Sequence, residues 1–96
     1  MAKKSYVVEI TKFAGKQAQR LPRAILEAFV VWIDLVEEFG LPRVRQSKGY
    51  HDEPLKGHRK GQRSVRLNRS YRVIYEEEDS GDIVVVAVQE VNKHDY

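Results

Sequence analysis

Ninety-six residues, read as a single domain over 1–96, suffice for one modest core and are too few for two. An apolar share of 42% with nine aromatics speaks against a disordered chain, and the lack of cysteine excludes disulfides and thiolate metal sites, in keeping with a reducing compartment. The net charge of +3 hides a segregation: positions 43–72 carry ten Lys and Arg against Asp52 and Glu53, a net +8, while the rest of the chain is −5.

Met1-Ala2-Lys3-Lys4 leads into an alternating segment with no apolar signal core, and no stretch approaches a membrane span, so a cytoplasmic protein without membrane contact is expected. Tyr6, Val8 and Ile10 alternate with polar neighbours, the period of a half-buried first strand. Thr11 can cap a helix of about ten residues, running to Leu21, with Phe13, Gln17 and Leu21 as its face. Pro22 suits the first position of a second helix, where a missing N–H is harmless. Ile25, Phe29, Trp32, Val36 and Phe39 then recur at alternating spacings of four and three, an amphipathic stripe that belongs to core packing. Gly40 is expected to end the helix as a left-handed cap, and Pro42 to prevent its restart.

Residues 41–61 hold Gly49, Pro54, Gly57 and Gly61 and predict an irregular connection with room for a helical turn or a short strand. Three β runs follow. Arg63–Leu67 alternates, Asn68-Arg69-Ser70 forms a tight turn, and Tyr71–Glu76 returns. Positions 77–82 make the next turn, and Ile83–Val91 is an almost continuous apolar strand suited to the sheet interior. The order β-α-α-β-β-β predicts an α+β fold: an N-terminal strand, a two-helix hairpin, then a mostly antiparallel sheet.

A concentrated positive field attracts polyanions, and phosphate neutralisation supplies most nucleic-acid affinity. If 68–70 form the hairpin loop, Arg66 stands opposite Arg72, and like charges on facing positions destabilise a sheet. Either an acid such as Glu53 bridges them or a ligand phosphate does. The histidines alone titrate near neutrality. His51 and His58 fall in exposed loop sequence, whereas His94 follows the apolar strand in Asn92-Lys93-His94-Asp95-Tyr96. No metal-ligand spacing, serine-hydrolase, Walker or dinucleotide signature is present, so no cofactor is expected. An arginine pair, a carboxylate in the basic field and a His with a Tyr are the parts of a metal-free ribonuclease. Such an enzyme needs a base for the 2′-OH, cations for the phosphorane and an acid for the 5′-oxygen.

Glu53-Pro54-Leu55-Lys56-Gly57-His58, Gly61, Ser64-Val65-Arg66-Leu67, Tyr71-Arg72-Val73-Ile74-Tyr75 and the ending Glu90 to Tyr96 carry a resemblance that spans nearly the whole chain. They resemble the RelE/ParE superfamily of bacterial toxins, and within it the ribosome-dependent mRNA endonucleases of the RelE, YoeB and HigB type. The resemblance implies a RelE-like fold and a cognate antitoxin that covers or displaces part of the active face. It further implies mRNA as substrate, met in the ribosomal A site. By position, Glu53 matches the carboxylate proposed as base, Arg66 falls where RelE has lysine and YoeB arginine, and Arg72 matches the transition-state arginine. His94 falls at the acid position and Tyr96 at the tyrosine that orients the substrate, although Asp95 separates two residues that are adjacent in YoeB. Lys56, His58, Arg59, Lys60, Arg63 and Arg69 are the expected RNA and phosphate contacts. The competing class is ParE-like: the same fold without nuclease chemistry, acting on DNA gyrase.

Overall fold

The computed structural model describes residues 4–93. Strand β1 (Ser5–Ile10) is followed by helices α1 (Lys12–Ala18), α2 (Arg23–Phe39) and α3 (Leu41–Val44). After a 3-10 turn come the short strand β2 (Glu53–Pro54), a second 3-10 turn at Gly57–Arg59, and strands β3 (Gln62–Arg66), β4 (Tyr71–Asp79) and β5 (Ile83–Lys93). The five strands form one sheet in the order β1-β5-β4-β3-β2, antiparallel except where β1 runs parallel to β5. The α+β architecture and the interior position of the apolar last strand are as expected.

Thr11 caps α1, its Oγ1 accepting the Ala14 N–H at 3.1 Å. The helix is shorter than expected and turned differently. Ala14 is buried, whereas Phe13 is 60% exposed, because α1 lies close on β5 and only a small side chain fits between them. Gln17 does face inward: β1 ends opposite Val88, and beyond that point Gln17 Oε1 accepts the Val91 N–H at 2.8 Å. In α2, Ile25, Phe29, Trp32 and Val36 are buried as the stripe requires, but Phe39 is exposed with the Arg43 guanidinium 4.7 Å above its ring. Pro22 stands just before the helix as its cap residue rather than in its first turn.

Gly40 has φ 85° and ψ 154°, a positive φ but not the left-handed helical conformation. Pro42 does not stop the helix from restarting. It occupies the first turn of α3, where its missing N–H has no intrahelical partner to lose. Strand β4 runs three residues beyond the expected end, through Glu77-Glu78-Asp79, since its partner β5 extends far enough to pair every one of them.

One sheet face carries Val65, Val73, Tyr75, Val86, Val88 and Val91, which join Phe29, Trp32 and Val36 in the core. Trp32 is fully buried and lies 5.5 Å from the Tyr75 ring, centroid to centroid. The opposite, open face is polar over β2 and β3 and apolar near β1, where Val7, Val85 and Ala87 stand. A bulge between Ile74 and Tyr75 decides what stands on it: Ile74 pairs Glu90 while Tyr75 pairs Val88, leaving Gln89 as the extra residue. Val88 and Val91 therefore both face the core, and Glu90 and Asn92 are delivered to the open face. No helix among the described residues is long and apolar enough to cross a membrane.

Candidate active site on the open sheet face

The hairpin joining β3 to β4 is tight, with Leu67 N–H bonded to Tyr71 O at 2.9 Å and Asn68 Oδ1 accepting the N–H groups of Ser70 and Tyr71, each at 2.8 Å. This register places Arg66 directly opposite Arg72, with Asn92 next across the sheet. The adjacent row on the same face reads Glu53, Ser64, Ile74, Glu90. Period-two alternation thus gathers Glu53, Arg66 and Arg72 onto one surface from three strands. A shallow concavity there is lined by His51, Glu53, Ser64, Arg66, Asn68, Arg69, Tyr71 and Arg72.

Among the described residues no carboxylate forms an ion pair with Arg66 or Arg72. Glu53 instead lies 3.4 Å from His51 Nε2, both side chains more than half exposed. His51 has φ 46°, uncommon for a residue with a side chain, and closes the 3-10 turn that leads into β2. Arg66 is exposed and makes no ion pair among the described residues, whereas Arg72 is half-buried and its Nε has no hydrogen-bond partner among them. A buried guanidinium N–H without an acceptor carries a desolvation cost, one that Arg45 Nε and Trp32 Nε1 share among the described residues. Across the sheet, Glu90 feels the Arg72 charge, but its carboxyl oxygens are taken by Arg59 at 2.6 Å and Asn92 at 3.0 Å. The Arg59 hydrogen bond, with smaller help from Asn92 and the two arginine charges, outweighs burial and holds the Glu90 carboxyl below the usual glutamate range.

The expected phosphate contacts divide. Lys56, His58 and Lys60 are exposed on the 3-10 turn between β2 and β3, and Arg69 lines the concavity at the hairpin. Arg59 is committed to Glu90. Arg63 alternates to the core side of β3, where its Nε bonds Asp52 Oδ1 at 2.6 Å, so it is a structural cation and not part of the open face. Asp52 is almost fully buried, its other oxygen accepting the Tyr75 hydroxyl at 2.6 Å while Arg45 Nε stands 3.6 Å away. Burial first, then the hydrogen bond to that carboxylate, pushes the Tyr75 phenol above its ordinary pKa. This network anchors the chain just before β2 on the core side, so alternation turns the next residue, Glu53, outward. His94 and Tyr96 lie outside the described residues.

Sequence reasoning missed Glu90, Asn92 and the Asp52 network. The signal for the first two was present: Gln89-Glu90 is a pair of consecutive polar residues inside an apolar run, the mark of a bulge. Nothing in the sequence connects Asp52 with Arg63, Tyr75 and Arg45, which meet only through the fold.

No family model matches the sequence, and no curated protein does. Solved structures do match. The YoeB/ParE toxin from Agrobacterium tumefaciens is 22% identical with a TM-score of 0.73, covering 93% of this chain and 99% of its own. A chain of the RelBE2 toxin–antitoxin complex from Mycobacterium tuberculosis is 27% identical with a TM-score of 0.64, over 94% of this chain and 99% of its own. A chain of the archaeal RelE–RelB complex from Pyrococcus horikoshii is likewise 27% identical, with a TM-score of 0.67, over 93% and 94%.

Proposed function

Proceeding from a fold that is that of the RelE/ParE toxin superfamily, we propose that this chain is the toxin of a type II toxin–antitoxin pair and cleaves mRNA. The observation that carries the nuclease reading is the Arg66–Arg72 pair: two facing cations, one with a buried N–H that has no partner among the described residues, on a surface that also presents Glu53. A fold gains nothing from opposing like charges unless an anion joins them, and a planar guanidinium can hold two phosphate oxygens at once.

In the proposed reaction, Glu53 takes the proton of a ribose 2′-OH and the 2′-oxygen attacks the adjacent phosphorus. The P–O5′ bond breaks, leaving a 2′,3′-cyclic phosphate and a 5′-hydroxyl. Arg72, with Arg66, binds the non-bridging oxygens and stabilises the charge that builds on the phosphorane. His94 is proposed as the acid that protonates the leaving 5′-oxygen, since a histidine near its ordinary pKa can donate at neutral pH. Tyr96 is proposed to orient the substrate. Lys56, His58, Lys60 and Arg69 are proposed to hold the flanking RNA, with the ribosomal A site presenting the message in the cytoplasm. A cognate antitoxin is the proposed protein partner, supported by the toxin–antitoxin complexes among the similar structures.

Primer extension on a defined mRNA after induction of the chain tests this reading. We expect discrete, in-frame cuts that appear only during translation. Growth arrest without cuts, accompanied by loss of DNA supercoiling activity, would replace it with a gyrase-directed toxin.

A further inference from the structure

Residues 56–61 form a basic loop bracketed by two glycines with positive φ, Gly57 at 69° and Gly61 at 98°. The Leu55 N–H···Gln62 O bond closes its base at 2.9 Å, and the Arg59 side chain fastens it to the sheet. Arg59 Nη1 bonds Glu90 Oε2 at 2.6 Å and Gln62 Oε1 at 3.0 Å. The remaining Glu90 oxygen accepts Asn92 Nδ2 at 3.0 Å, so both oxygens are occupied and the carboxylate is fixed. The Arg59 and Glu90 side chains are only 33% and 22% exposed, which spares the ion pair much of the solvent screening of a surface pair. Ile74, which pairs with Glu90 in the same row, is fully buried although it stands on the open face. The β4–β5 bulge makes the Arg59–Glu90 contact possible, since without it Glu90 would face the core.

We infer that Glu90 is a positioning residue: through Arg59 it latches the basic loop to the sheet face that bears the Arg66–Arg72 pair, and so holds Lys56, His58 and Lys60 in place to receive RNA that extends beyond that pair. The inference rests on the ribonuclease reading for the identity of the ligand, but the latch itself does not.

A plain field effect makes the opposite prediction. Glu90 is a negative charge near Arg72, so its removal should tighten the binding of any polyanion if the carboxylate did nothing else. The affinity of the intact protein for ribosomes carrying an mRNA with a 2′-O-methylated A-site codon decides between them, because that codon binds but cannot be cut. We expect Glu90→Gln and Arg59→Ala each to weaken binding about tenfold. The double variant should be no weaker than the worse single one, because both break one contact. Tighter binding by Glu90→Gln, or additive effects in the double variant, would overturn the positioning role. Amide hydrogen exchange of the Arg59 and Lys60 N–H groups, which close the 3-10 turn, should quicken about tenfold in Glu90→Gln. Unchanged exchange would overturn the latch. Wild-type protein that did not bind the programmed ribosome would remove the ribonuclease reading, and the exchange result would still decide the latch.

Discussion

Arg66 and Arg72 repel each other in the absence of a ligand, so the pair should be a stability liability held for function. Replacing Arg66 with threonine removes the repulsion and substitutes a residue favoured in strands. We expect Arg66→Thr to raise stability by about 0.2–1 kcal/mol in chemical denaturation while mRNA cleavage falls. Lower stability would show that the two guanidinium groups are accommodated at no expense. Glu90 makes a pH prediction at the same scale. Its folded carboxyl titrates below the ordinary value of 4.5, chiefly because Arg59 holds the charged form. Stability from this group is therefore fully present above pH 4.5 and disappears as pH falls through the lowered folded value. The stability difference between wild type and Glu90→Gln should accordingly be constant near neutrality and shrink in acid. A difference that persisted unchanged into strong acid would mean that the carboxylate charge is not what stabilises.

At the scale of elements, the chain crosses from α2 to α3 through Gly40, whose φ of 85° with ψ near 154° is a conformation almost confined to glycine. A Cβ built there would stand 2.8 Å from Tyr6 Cε1, so backbone and packing both object to a side chain. Gly40→Ala is expected to destabilise by about 1–3 kcal/mol in thermal or chemical unfolding, and a loss below that range would show that Tyr6 and the backbone adjust freely. Sequence periodicity located α2 and β5 because each buries one face or both over many residues, and that demand leaves a long pattern; in β1 the alternation held for Tyr6 and Val8, while Ile10 is exposed. The short elements were harder. A seven-residue α1 needs only Ala14 inside, which leaves almost no apolar signal, and the larger Phe13 attracted the assignment instead. The end of β4 was misjudged because Glu77-Glu78-Asp79 has the composition of a turn, while backbone pairing to β5 decides its conformation.

Across the whole molecule, the charge segregation seen in the sequence does not map one-for-one onto an RNA surface. Of its cations, Arg63 and Arg45 serve the buried Asp52, and Arg59 serves Glu90. The facing of Arg66 and Arg72 was legible because hairpin register is fixed by a three-residue turn. The division of labour among the other cations was not legible, since it depends on which strand face each one meets. Enough positive charge remains exposed for association with an anionic antitoxin or RNA to be steered electrostatically, so the association rate should fall as ionic strength rises. A flat profile would indicate recognition through apolar contacts alone.

The most direct measurement is the single-turnover cleavage rate of mRNA on programmed ribosomes by Arg72→Ala, with unfolding curves recorded beside it. Removing a preorganised charge from the phosphorane should slow cleavage by about 10²–10³, or about 3–4 kcal/mol in the barrier, while the unfolding midpoint stays at or above that of wild type. A folded Arg72→Ala protein that cut mRNA at close to the wild-type rate would contradict the assignment of this sheet face as the site of phosphate chemistry.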